Sequence, residues 1–224
     1  MSGLTVAVLI LLAALFASTA ALSGWYHRER ARRADAHIRA GHMQARAGRL
    51  APAVEEYRAA LLLERSDFEA ERALALALVQ LGRLAEAQSY LTDLLEREPA
   101  SGPLNLEMAR VQSANRAAAG ARRLYQRAIY GEWPDESVGA RVGARFELAE
   151  SLFSHGSTEE VLAELLRLKA ELEPGDLASQ RRLSALLVRG QAPDLAADVL
   201  ASVAERDPAN ADVLSALADA QSQA

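Results

Sequence analysis

The tripeptides Gly48-Arg49-Leu50 and Gly82-Arg83-Leu84 stand 34 residues apart, and Gly156 and Gly190 repeat that interval. A fixed internal period of this length constrains a fold more than any local signal, because each repeat buries its apolar face only against the next copy. Around the first two glycines the chain reads AHIRAGHMQARAGRLAPAVEEYRAALLLE and AERALALALVQLGRLAEAQSYLTDLLEREP. In each, a helical stretch meets a Gly turn. The next stretch then carries a small residue (Ala53, Ala87) and, one helical turn later, an apolar one (Tyr57, Leu91). Composition agrees with a helical solenoid. Half of the residues are hydrophobic but only 5% are aromatic, and Ala, Leu, Glu and Arg, all strong helix formers, dominate. The β-branched and aromatic residues that strands favour are scarce, which excludes an all-β or doubly wound fold.

Everything after Arg33 fits one phase. Repeats run 34–67, 68–101, 102–135, 142–175 and 176–209, with an insertion at 136–141 and a capping helix at 210–224. Gly41, Ala75, Ala109 and Ala149 are small where the first helix of a hairpin must approach its neighbour; Ala53, Ala87 and Ala121 do the same on the second, and Ala60 and Ala128 continue that face. Pro99, Pro134, Pro174 and Pro208 close their second helices, since proline removes a donor and clashes with the preceding turn. This pattern resembles the tetratricopeptide repeat (TPR) family. The resemblance implies an all-α TPR solenoid, a right-handed superhelix of helix hairpins. Three departures stand out. The third repeat has Arg116-Ala117-Ala118 where the turn Gly belongs, and Val161 and Leu195 replace the second-helix Ala of the fourth and fifth, which predicts imperfect hairpins there. The stretch 135–141 reads as a longer joint or an early start to the next helix.

Before the array, Leu4–Leu22 carries no charge. As a helix it is about 30 Å long, the thickness of a bilayer core. Its Leu, Ile, Val and Phe residues favour insertion by about 3–6 kcal/mol. The expected architecture is therefore one N-terminal transmembrane helix (1–24), a basic juxtamembrane segment (25–33) and the array (34–224). Trp25, Tyr26, Arg28, Arg30, Arg32 and Arg33 are the expected membrane-interface residues, because amphipathic rings settle at interfaces and basic flanks stay cytoplasmic. A single-pass helix of a bacterial inner membrane with a cytoplasmic array follows. Residues 1–5 lack the positive charge of a signal peptide. Small residues around Ser18 to Ser23 nevertheless leave a cleaved, periplasmic alternative open. The order of apolar segment, Gly24-Trp25-Tyr26, arginines and repeats is similar in layout to the lipopolysaccharide assembly protein B family. That family's Cys pairs are absent, so its role does not carry over.

By the geometry of the family, the first helix of each repeat lines a concave groove. Its expected residues are Asp35, Ile38, His42, Arg46, Glu69, Arg72, Leu76, Val79, Gln80, Leu106, Arg110, Ser113, Phe146, Glu150, Phe153, Gln180, Leu187 and Val188. Partly apolar with scattered Arg and Glu, such a face suits an amphipathic helix or extended segment. Arg72 and Arg110 are expected to be exposed cations whose reversal changes binding but not stability. Chemistry-bearing patterns are missing. The four histidines have no ligand spacing, no phosphate loop, dinucleotide turn or nucleophile elbow occurs, and zero cysteines exclude thiolate sites. A net charge of -5 argues against nucleic acid. The expectation is a membrane-tethered scaffold or adaptor for protein partners, without cofactor, metal or small-molecule substrate. It would recruit or assemble a membrane or envelope complex. The alternatives are an exported assembly factor, for example in cytochrome or envelope biogenesis, and a structural subunit of a membrane complex.

Overall fold

A computed structural model describes the backbone of residues 3–134 and 138–224, with all side chains in those ranges except those of 3–10, 13, 14 and 138. The described residues form eleven helices: α1 (Gly3–Arg46), α2 (Leu50–Leu63), α3 (Phe68–Gln80), α4 (Leu84–Arg97), α5 (Gly102–Ala114), α6 (Ala118–Tyr130), α7 (Val138–His155), α8 (Thr158–Glu171), α9 (Leu177–Arg189), α10 (Pro193–Arg206) and α11 (Ala211–Gln223). The chain divides into two compact units, Met1–Leu94 and Leu95–Ala224. In the first, α2 packs on α1 and α3 on α2; in the second, each helix from α6 to α11 packs on its predecessor. Nearest-neighbour packing of this kind is what the 34-residue period demands.

Local chemistry starts and stops these helices. Asp67 accepts a hydrogen bond from the Ala70 N–H, Asp176 from Ser179 and Asn210 from Val213, while Ser157 and Glu160 form a reciprocal capping box at α8. Gly48 and Gly82 leave α1 and α3 with φ of 73° and 74°, in the left-handed region where glycine carries no side-chain penalty. The third turn lacks its glycine, as the sequence indicates, and Arg116 takes φ 58° instead.

The fifth repeat departs from the expected phase. Its left-handed residue is Gln191 (φ 61°), one position after Gly190. Counting from Gln191, the small second-helix position falls on Ala196, which is 0% exposed, and the first-helix position falls on Ser184, 3% exposed. Leu195, expected at the tight contact, is only partly buried, so this hairpin keeps a small residue at its closest approach. Val161 of the fourth repeat is accommodated in the core of the second unit. Residues 135–137 lie outside the described residues. From Val138 the insertion is helix, lengthening α7 to 18 residues.

The other small positions meet their expected constraint. Ala53, Ala75, Ala87, Ala109, Ala121 and Ala149 are fully buried, as are Ala60 and Ala128. Gly41 is held by sterics: a Cβ there would overlap the ring of Tyr57, itself 2% exposed. Helix propensity alone rates Gly41→Ala a gain of about 1 kcal/mol. Overpacking in a closed site costs about 1–3 kcal/mol. The expected outcome in a denaturant melt is therefore a net loss of stability, and a gain would contradict this contact.

The expected boundaries at 24 and 33 are not breaks. The uncharged stretch, the basic segment and the first repeat helix form the single 44-residue helix α1, about 66 Å long at 1.5 Å per residue. No proline precedes Pro52 to interrupt it. Among the described residues no helix is long and apolar enough to cross a membrane. The expected span Leu4–Leu22 lies in part outside them, since the side chains of 4–10, 13 and 14 are not described.

Candidate protein-binding site

Asp176 and Asn210 fix where α9 and α11 begin, and so fix which faces the two helices present. Between them lies a cavity of about 690 Å³. Ala178, Ala185 and Val188 of α9 and Ala216 and Ala220 of α11 line it, with Leu200 of α10. Small side chains make the space, because both helices present alanine where a larger residue would close it. The rim carries both signs, Arg181 and Arg182 on α9 and Asp212 and Asp219 on α11. Arg181 lies 3.8 Å from Asp212, but the two side chains are 46% and 85% exposed, so the pair contributes little and opens at low cost. Val188 belongs to the expected groove; the remainder of the lining was not expected. Its signal was the Ala-x6-Ala spacing of 178 and 185, which puts both alanines on one helix face.

The expected groove residues separate into three groups. Ile38, Leu106, Phe146 and Leu187 are buried, Ile38 in the cluster with Ala34, Ala60 and Ala70 and the others in the core of the second unit. They hold helices together and present no side chain to a ligand. Gln180 is also buried and donates to the Glu173 carbonyl at 3.0 Å, fastening the preceding turn. Asn105, at the same place in the third repeat, donates to the Pro99 and Ser101 carbonyls.

A second group is tied up in ion pairs. Arg72 forks onto Glu69 at 2.8–3.1 Å. Arg110 donates to Glu147 through Nε (3.0 Å) and Nη2 (2.6 Å), and to Glu107 through Nη1 (2.6 Å). Burial pushes the Glu107 carboxyl up from its ordinary value, against the lowering effect of Arg110. Tyr125 is pushed up to about 12 by burial and by Glu147. Arg110 is thus a structural cross-link from α5 to α7, which corrects the expectation that its reversal leaves stability unchanged. Glu150 accepts from Arg182 at 2.8 Å, and Arg182 lies 4.4 Å over the Phe146 ring. Arg189 covers Phe153 in the same way at 4.1 Å. His42 meets the Tyr57 hydroxyl at 3.1 Å and Glu69 at 3.5 Å.

The third group keeps surface. Asp35, Arg46, Gln80 and Ser113 are exposed, and Leu76, Val79 and Val188 are half-buried. Among the residues expected at a membrane interface, Trp25 and Tyr26 are 58% and 54% exposed, and Arg28, Arg32 and Arg33 are exposed as well. Arg30 lies 5.8 Å over the Tyr26 ring and donates to the Leu63 carbonyl. Among the described residues no group of three or more His, Asp or Glu side chains is placed to hold a metal ion.

No family model matches the sequence, and no curated protein does. Solved structures do match. YrrB, described as a TPR protein with an unusual peptide-binding site, aligns at 19% identity over 80% of this chain and 89% of its own, with a TM-score of 0.54. A thermophilic TPR protein of Thermus thermophilus aligns at 18% identity over 84% and 98%, with a TM-score of 0.53. PilF of Pseudomonas aeruginosa aligns at 17% identity over 87% of both chains, with a TM-score of 0.61. At these identities the likeness shows the fold. The helices of this chain take the fold of TPR proteins.

Proposed function

We propose that this chain is a membrane-tethered adaptor that binds a segment of another protein and performs no catalysis. The α9–α11 cleft carries the reading. Its apolar floor and two-signed rim suit an amphipathic helix, or an extended segment with small apolar anchors, whose own charges replace the weak Arg181–Asp212 pair. The peptide-binding site for which YrrB is described supports a protein segment as the ligand class. The tether is the uncharged stretch Leu4–Leu22. Arginines at 28, 30, 32 and 33 on its C-terminal side favour a cytoplasmic array at a bacterial inner membrane.

Two measurements test the parts separately. Ala185 is exposed within the cleft, so Ala185→Trp fills the space without entering the core. Partners captured from native membranes should be lost, while stability changes by no more than about 0.5 kcal/mol. Unchanged capture rejects the cleft and favours a structural subunit that binds through other faces. A protease added from the periplasmic side should leave residues 34–224 intact. Their digestion, or a mature N-terminus near Ser23, rejects the cytoplasmic placement in favour of the exported alternative.

A further inference from the structure

Leu62, the last residue but one of α2, keeps 80% of its surface exposed, where a polar residue would cost the fold nothing. Its position is set from α1. Arg30 donates to the carbonyl of the adjacent Leu63, which pins the end of α2 beside the turn of α1 that carries Trp25 and Tyr26. A cleft of about 460 Å³ results, lined by Trp25, Tyr26, Glu29, Arg30 and Arg33 on one side and by Leu62 and Leu63 on the other. Segments far apart in sequence thus place an exposed leucine, two aromatic rings and guanidinium groups on one surface.

We propose that this surface is a second contact with the bilayer, at which Leu62 enters the headgroup–acyl boundary and Arg30 and Arg33 face the phosphates of anionic phospholipids. Three observations select a lipid surface. The patch is continuous along α1 with Leu15, Phe16 and Leu22, which are 61%, 76% and 64% exposed. Its aromatic residues are of the amphipathic kind that settle at an interface. Residues 28–33 hold four arginines against the single carboxylate of Glu29, and anionic headgroups complement that excess. Glu29 itself is bonded to Arg33 at 3.0 Å. The inference rests on the tether proposed above and adds to it, since a helix end held at the interface fixes how the first repeat is presented to the membrane.

The chain has no cysteine, so one introduced cysteine gives a single labelling site. Spin labels are placed separately at Phe16→Cys, Leu62→Cys and Glu55→Cys in the full chain. The protein is reconstituted in vesicles of phosphatidylethanolamine and phosphatidylglycerol, and each label is challenged with lipid-soluble oxygen and a water-soluble nickel chelate. The expected result is oxygen-dominated collision at positions 16 and 62 and chelate-dominated collision at 55, with the oxygen-to-chelate ratio at 62 several-fold above that at 55. Replacing Arg28, Arg32 and Arg33 by Gln should shift position 62 toward the chelate. Oxygen access at 16 with chelate access at 62 overturns this contact while the tether stands. Chelate access at both overturns the tether and the contact together. A label at 62 shielded from both reagents overturns the inference by showing that protein covers Leu62.

Discussion

Replacing Arg145 by Ala is expected to destabilise the second unit by about 3–5 kcal/mol, the cost of stranding a buried charge. Arg145 and Glu164 are 4% and 5% exposed and meet at 2.6 Å. Arg145 also donates to Glu171 at 2.8–2.9 Å and lies 5.7 Å from the Tyr130 ring centroid. Without it, Glu164 keeps, among the described residues, the ion pair with Arg167, whose side chain is 61% exposed. The thermal midpoint should fall by on the order of 10 °C. Joint replacement, Arg145→Met with Glu164→Leu, should restore most of the loss, because apolar residues of similar volume need no charge partner. A single variant within about 1 kcal/mol of the parent would mean that water reaches Glu164.

Arg110→Glu is expected to cost about 2–5 kcal/mol near neutral pH, since truncating one partner of a bonded charge group leaves the others uncompensated. The variant would gather three carboxylates, two of them Glu107 and Glu147 with side chains only 14% and 26% exposed. The effect should depend on pH with a definite sign. Burial raises the folded-state pKa of Glu107, and Arg110 is what partly holds it down. A carboxyl with a raised folded pKa binds its proton more tightly in the folded chain, so its penalty is full above that pKa and disappears below the unfolded value. Reversing Arg110 raises the pKa further. The deficit between variant and parent should therefore shrink as pH falls toward the ordinary carboxylate range. Denaturant melts across that range measure it, and a deficit that grows on acidification would contradict the Glu107–Arg110–Glu147 linkage. Arg110→Gln should lose less, having removed the attraction without adding a charge.

The repeat was legible because close helix approach leaves so few choices. Gly41, Ala53, Ala75, Ala87, Ala109, Ala121 and Ala149 sit where their size indicates, and Gly48 and Gly82 where their freedom does. The fifth repeat misled for a physical reason. Gly190 lies 34 residues after Gly156 and invites the left-handed position, but the second helix decides the register. Turning at Gln191 aligns Ala196, Leu200 and Val203 on one buried face. Burying two such side chains contributes about 1.5–3 kcal/mol each, more than the 1–2 kcal/mol that a non-glycine left-handed residue costs. The groove was harder to read, because family geometry assigns a helix face and leaves open which residues on it find partners. Arg110 and Glu147 are 37 positions apart, and nothing in their spacing marks them as a pair. The α9–α11 cleft depends on side chains missing from two helices at once, a property that no single segment displays.

The adaptor reading is tested most directly by a photo-crosslinking residue at Ala185, inside the cleft, compared with one at Gln126, an exposed α6 position outside it, both in native membranes. The account predicts a discrete crosslinked protein from position 185, absent from position 126 and lost on reversal of Arg181 to Glu. Identical products from both positions, or none from 185 while 126 captures a partner, would contradict it.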